Sequence, residues 1–185
     1  MEKTLVENKR IFTIGHGTRS LDQFIGLLLS FQVQLVVDIR TVPRSRHNPQ
    51  FNRETLPDDL GKENIGYHHQ SGLGGLRKTV PDSVNRGWHN ASFRGFADYM
   101  QIEAFESNLN ALIKSVHEQT LVLMCAETLP WRCHRSLIAD ALVIRNIPVF
   151  HIFKMGTAEE HKLTSFARVR GTALTYPASE SNREI

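Results

Sequence analysis

A chain of 185 residues, 41% hydrophobic and 22% charged, fits one soluble domain with a substantial buried core. No apolar run approaches the ~20 residues of a membrane span, and two cysteines rule out a disulfide scaffold. The net charge of +3 suits an anionic small molecule or nucleic acid and selects neither.

The opening MEKTLVENKR has no apolar signal-peptide core, so a cytoplasmic protein with reduced thiols is expected. Ile11 to Ile14 is a buried strand candidate ending in Gly15-His16-Gly17, where two glycines allow a sharp turn close to a ligand. Ser20 with Gln23 predicts a capping box for a helix whose apolar face is Leu21, Phe24, Ile25, Leu28 and Leu29. Leu35 to Ile39 is a second strand, followed by Arg40. Strand, helix and strand with continuous apolar strands predict a βαβ unit and a parallel sheet.

Residues 40 to 94 are less regular. Asn52 is a candidate cap for a short helix carrying Leu56 and Leu60, and Ile65 to His69 is a third strand. SGLGGLR at 71 to 77 lacks the spacing of a phosphate-binding P-loop. Gly74-Gly75 therefore reads first as a turn or close backbone contact and second as a phosphate cradle. Pro81 to Ser92 reads as exposed loop. Gly95 to Val116 predicts one long helix, with Tyr99 near its start in reach of a neighbouring site. Leu121 to Cys125 is a fourth strand, a helix follows Cys133, and Pro148 to Ile152 is a fifth strand.

From Lys154 the periodicity fades, with Phe166 and Tyr176 as sparse anchors and a polar, mobile SESNREI end. The expected organisation is a single α/β domain over 1–153 with an appended tail over 154–185. Its fold class is α/β: three layers, a mostly parallel sheet of about five strands, and helices on both faces in Rossmann-like layering.

Ligands of such sheets bind outside the carboxyl ends of the strands. His16, Arg40, His69, Cys125 with Glu127, and His151 all fall there. The densest stretch is LVLMCAETLPWRCHRSLI at 121–138, which holds both cysteines. The positive end of the following helix lowers a nearby thiol pKa. Cys125 is accordingly a candidate nucleophile with His16 or His134 as partner, or a small buried hydrophobe. The phosphatase-type spacing of Cys, five residues and Arg fails by one, because Arg132 comes after six. Cys133 reads as packing first and thiol chemistry second.

Glu127 is a candidate acid/base, or an ion-pair partner of Arg132 or Arg135. Arg40 either grips an anion or pairs with Asp38 or Glu127. Metal binding by Cys125, Cys133, His134, His16 and His151 competes, but there is no Cys-x-x-Cys pair, and no metal is assigned. Arg40, Arg44, Arg46 and Arg53 form a basic run that is either a solvated loop or an anion site. Aromatic–basic pairs such as Trp88-His89 and Phe93-Arg94 either stack on bases or fold the loop onto the core.

TIGHGTRSLDQFIGLL at 13–28, VVDIRTVPRSRHNPQF at 36–51, the Leu73-Gly74-Gly75 turn, FRGFADYM at 93–100, MCAE and CHRSLIADAL together resemble the domain of unknown function 488 family. The resemblance spans about residues 11 to 152. It implies an α/β fold of Rossmann-like layering and no established reaction. It marks His16, Arg40, Ser45, Glu127, Cys133, His134 and Arg135 as motif positions, and shifts weight from Cys125 alone toward Glu127 and Cys133-His134-Arg135.

The leading expectation is an enzyme acting on an anionic small molecule, a nucleotide or other phosphorylated metabolite, at the carboxyl edge of the sheet. His16, Glu127, His134, Cys125 and Cys133 would carry chemistry. Arg40, Ser45, Arg135, Gly74, Gly75 and Tyr99 would hold substrate. A nucleic-acid-binding protein using the 40–53 loop and a non-catalytic fold are the alternatives. No cofactor or oligomeric state is assigned.

Overall fold

The computed structural model describes residues 10–178. The predicted N-terminal opening before Arg10 and the SESNREI end lie outside the described residues. In chain order the elements are β1 (Ile11–Gly15), α1 (Leu21–Ser30), β2 (Leu35–Asp38), α2 (Leu56–Gly61), β3 (Gly66–His69), α3 (Ala91–Tyr99) and α4 (Glu103–Val116). Then follow β4 (Leu121–Cys125), α5 (Arg135–Val143), β5 (Val149–Lys154), β6 (Thr157–Glu160), β7 (Arg168–Arg170) and β8 (Ala173–Thr175).

The sheet order is β3-β2-β4-β1-β5-β6. The first five strands are parallel, and β6 adds antiparallel to β5. The mostly parallel α/β sheet is the one expected, with six strands where the sequence suggests about five. Side chains alternate across each strand. Leu121, Leu123 and Cys125 of β4 face a core with Phe96, Phe105, Leu109 and Leu137 from α3, α4 and α5. Val122 and Met124 face Phe24 and Leu28 of α1 and Leu56 and Leu60 of α2. Burial on both faces explains why β1 and β4 read as unbroken apolar runs.

Ser20 and Gln23 form the predicted capping box of α1. The single helix expected over 95–116 is two. α3 starts earlier, where the Asn90 side chain accepts from the Ser92 and Phe93 amides, and it ends before Met100. α4 restarts after Ile102. The short α2 is preceded by Thr55 and not by Asn52, whose side-chain oxygen instead accepts from the Ser45 amide at 2.7 Å.

The 81–92 loop is not wholly exposed: Ser83 and Asn85 are buried and both donate to Asp98 Oδ1. Trp88 packs against Phe93, Phe166 and Tyr176. Beyond Lys154, β6 joins the sheet, and Leu174 and Tyr176 are buried in the α3–α5 core. The Tyr176 hydroxyl donates to Asp140 Oδ2 at 2.8 Å, and His161 Nε2 meets Asp140 Oδ1 at 2.8 Å. The contacts of that segment are therefore tied to α5.

Candidate functional site

β1 and β2 pass the chain toward the β3 edge, whereas β4 passes it through α5 and beyond β1 to β5. Strands whose connections leave in opposite directions open a crevice at their carboxyl ends. β4 lies between β2 and β1, so the crevice surrounds its last residue, Cys125. A cavity of about 440 Å3 occupies this place. Its lining includes His16 after β1, Arg40 to Val42, Arg44 and Ser45 after β2, Gly75 and Leu76, Ser92 and Phe93 of α3, Cys125 to Glu127, and Arg132 to His134.

The two thiols meet at its floor, with Cys133 Sγ 3.0 Å from Cys125 Sγ. A short turn over Pro130–Arg132 carries the chain back so that Cys133, two residues before α5, touches the end of β4. Arg135, the first residue of α5, is 1% exposed. Its Nη1 donates to Cys125 Sγ and to the Glu127 carbonyl, and its Nη2 donates to the Thr128 carbonyl at 2.7 Å. Its Nε is buried without a partner. The carboxylate ion pairs among the described residues do not include Arg135.

A buried cation needs a counter-charge, and the Cys125 sulfur is the group in place to carry one. A second guanidinium sharpens that need. Arg19 donates to the Gly15 and Phe153 carbonyls. Burial, and after it the charge of Arg135, lowers its pKa. Burial pushes the Cys125 thiol up, but the Cys133 S–H, the Arg135 charge and the Arg135 hydrogen bond outweigh it and bring it down to about 7. The Cys133 thiol is pushed well above its ordinary value by its bond to Cys125 and by burial. One thiol of the pair thus ionises near neutrality and the other keeps its proton.

Arg40 is 7% exposed and Asp38 is fully buried. Arg40 Nη2 meets Asp38 Oδ2 at 2.6 Å and the Phe51 carbonyl at 2.7 Å, while Nε spans both carboxylate oxygens. Tyr67 donates its hydroxyl to the same Oδ2. Only Nη1 is turned from the carboxylate, toward His16 Nε2 at 3.3 Å. His16 Nδ1 lies 2.9 Å from the Gly17 carbonyl, which fixes Nδ1 as the protonated nitrogen and leaves Nε2 as an acceptor. The ring stacks on Phe51. Burial is the main reason its pKa falls to about 4.

His134 Nε2 lies 2.9 Å from the Leu73 carbonyl, so its Nδ1 carries the lone pair and faces Cys133 Sγ at 3.6 Å. Burial lowers this ring to about 4 as well. The glycine loop makes the contact possible: a Cβ at Gly75 would stand 2.4 Å from His134 Nδ1, and one at Gly74 would stand 2.5 Å from Thr41 Oγ1. Arg77 holds the loop by donating to the Ser71, Gly72 and Gly74 carbonyls. Its guanidinium lies 3.7 Å over the Tyr99 ring, and Tyr99 donates to the Gly72 carbonyl.

His16, Arg40, Ser45, Gly75, Cys125, Glu127, Cys133 and His134 therefore share one cavity. Gly74, Tyr99 and Arg135 stand behind its wall, as supports of the loop and of the thiol. His69 turns Nε2 to the Arg40 carbonyl. His151 belongs elsewhere: it bonds Thr13 and His161 and lines a second cavity with Trp131 and Phe153. Glu127 is exposed on the rim and accepts from the Leu129 amide, without the ion pair expected to Arg132 or Arg135.

Thr41, Val42, Leu76, Ser92 and Ala126 line the cavity without a signal in the sequence, whereas Arg44, Phe93 and Arg132 are lining residues that the sequence singles out for other roles. The thiol–thiol contact was also missed. The eight-residue spacing across a strand–turn–helix return was the available signal.

A family model described as "Domain of unknown function DUF488" matches residues 20–142. No curated protein matches the chain. No solved structure matches it.

Proposed function

Because the chain belongs to the family of the domain of unknown function DUF488, whose description names no reaction, we propose a function from the cavity itself: covalent catalysis by the Cys125 thiolate on an anionic small molecule, a nucleotide or other phosphorylated metabolite. The observation that carries this reading is the buried Arg135 guanidinium, which donates to the Cys125 sulfur and has no carboxylate partner among the described residues. A thiolate held this way is a nucleophile at neutral pH.

The lining favours an anion. Arg132 is exposed at the rim with no carboxylate ion pair among the described residues, and Arg40 and Arg44, although paired with Asp38 and Glu54, also line the cavity, against one lining carboxylate, Glu127. Such guanidiniums orient a phosphate or carboxylate through paired N–H donors. In the reaction, Cys125 Sγ gives its electron pair to the electrophilic centre and the leaving group departs. The leaving group takes its proton from solvent at the open rim, where the Glu127 carboxylate is placed to accept a proton from the water that releases the covalent product. His16 and His134 enter as neutral rings near pH 7, suited to accept a proton.

The nucleic-acid reading is weaker. Arg40 is committed to Asp38 and Arg44 is bonded to Glu54, which neutralises half of the four arginines at 40–53.

The test compares alkylation of Cys125 by iodoacetate, an anion, with that by neutral iodoacetamide. Saturation with iodoacetate, competed by inorganic phosphate, is the expected result. Linear, phosphate-insensitive kinetics with both reagents would remove the anionic-substrate reading.

A further inference from the structure

We propose that Cys125 and Cys133 form a peroxide-reactive dithiol, in which Cys125 is oxidised first and Cys133 closes a disulfide across the cavity floor. This rests on the thiol geometry and not on any substrate of the cavity. Three observations carry it. The two sulfurs stand 3.0 Å apart, so a covalent bond of about 2.05 Å needs a closing movement of only about 1 Å. Both thiols are free, buried from bulk solvent, and open to the same cavity, which is large enough to admit a hydroperoxide. Their surroundings are also unequal. Cys125 Sγ accepts from the Arg135 guanidinium, which favours its thiolate. Cys133 Sγ accepts a weaker contact from the Arg135 amide at 3.5 Å and faces the lone pair of His134 Nδ1 at 3.6 Å.

The chemistry balances with a hydroperoxide as the oxidant. The Cys125 thiolate attacks the terminal oxygen of ROOH. An S–O bond forms, the O–O bond breaks, and RO⁻ departs and takes a proton from solvent to give ROH. Cys125 is now a sulfenic acid. Cys133 Sγ then attacks Cys125 Sγ. The S–S bond forms, the S–O bond breaks, and hydroxide leaves with the Cys133 proton as water, with His134 Nδ1 as the nearest carrier for that proton. In sum, two thiols and ROOH become a disulfide, ROH and water. An external dithiol reverses the change by exchange.

The unequal pair sets the order of events. The sulfur beside Arg135 is the thiolate and reacts first; the sulfur that retains its proton waits, close enough to resolve the sulfenic acid before a second oxidation. Oxidation also removes the negative partner of Arg135 and consumes the nucleophile on the cavity floor.

The experiment treats the full reduced chain with hydrogen peroxide, and separately with tert-butyl hydroperoxide, then blocks free thiols in acid and maps peptides by mass spectrometry. The expected product is one intramolecular Cys125–Cys133 peptide, lighter than the reduced pair by two hydrogens and restored by dithiothreitol. In Cys133→Ser, a Cys125 sulfenic acid trapped by dimedone should take its place. In Arg135→Met, oxidation at pH 7 should slow at least about tenfold, following the loss of thiolate.

Wild-type Cys125 passing to sulfinic acid with Cys133 still free would overturn the proposal. So would crosslinks found only between chains, or thiols untouched at peroxide concentrations that oxidise free cysteine. The iodoacetate–phosphate competition involves no oxidant, and peroxide oxidation involves no anion recognition, so failure of one reading leaves the other measurable.

Discussion

Replacing Arg135 by methionine removes the charge and the N–H donor that hold the Cys125 thiolate, while burial and the Cys133 contact remain. In the wild type the thiol titrates at about 7 against an ordinary value of 9.0, so roughly half is ionised at pH 7. Without Arg135, two of the influences that lower the thiol are gone while burial still opposes ionisation and the Cys133 contact still favours it, so the midpoint rises from about 7 toward the ordinary 9.0; a full return to 9.0 would leave roughly one thiol in a hundred ionised at pH 7. That full return corresponds to roughly 3 kcal/mol of preference for the thiolate, the upper bound for Arg135. Iodoacetamide alkylation of Cys125, followed by peptide mass spectrometry from pH 5 to 10, reads the midpoint directly. The expected variant rate is lower by roughly ten- to fifty-fold at pH 7 and converges with the wild type near pH 10. Removing one member of a buried pair is costly in general; here the thiolate left behind can take up a proton, and circular dichroism with urea denaturation checks that the fold persists. Arg135→Lys retains a charge and should fall between the two. If the Cys125 midpoint stays near 7 in Arg135→Met, the guanidinium is not what ionises the thiol and the reasoning fails.

Three further outcomes are expected. Gly75→Ala drives a methyl group into the His134 ring, whose Nδ1 would stand 2.4 Å away. A loss of about 1–3 kcal/mol should appear in urea denaturation, and an unchanged midpoint would show that the loop yields freely. Tyr176→Phe takes one donor from the buried Asp140 carboxylate, at a cost of about 1–3 kcal/mol by the same assay; no change would mean that the other donors suffice. Acid should destabilise the fold through His16 and His134. Both titrate at about 4 in the folded chain, against 6.5 for the free ring, so the unfolded chain binds more protons in between. Stability is full above pH 6.5 and is lost as pH falls toward 4, by roughly 3 kcal/mol for each ring. His134→Asn should flatten this fall between pH 6.5 and 4.5; a slope identical to the wild type would contradict the assignment.

Much of the layout was legible because local and tertiary signals agree. The Ser20–Gln23 box, the apolar runs at 11–14, 35–39 and 121–125, and the glycines flanking His16 each point the same way as the final packing. The break between α3 and α4 was hidden because no glycine or proline marks it; Met100, Gln101 and Ile102 are ordinary helix-compatible residues. Its trace is a phase slip. Phe93, Phe96 and Ala97 fall on one stripe, and Phe105, Leu109, Leu112 and Val116 on another shifted from it. The strand β6, with the sequence TAEE, has no apolar pattern at all, because it lies at a sheet edge and is fixed by β5 and by His161.

In the cavity, the strand-end residues could be placed together from topology alone. The role of Arg135 could not. A guanidinium at a helix start reads as an anion grip until the fold shows it buried behind the thiol, with its other N–H groups spent on the Glu127 and Thr128 carbonyls. Its effect on Cys125 depends on a return of the chain that the spacing permits without requiring.

The antiparallel strand β6 also bears on how molecules meet one another. Without it, β5 would present an open ladder of backbone groups, a template for strand addition by a second chain. β6 closes that rim with four residues, and Glu159 and Glu160 place carboxylates along it. A copy approaching in the same manner would bring like charges against like over a strand too short to compensate. On this side the sheet ends in repulsion, which favours dispersed molecules over a growing ribbon.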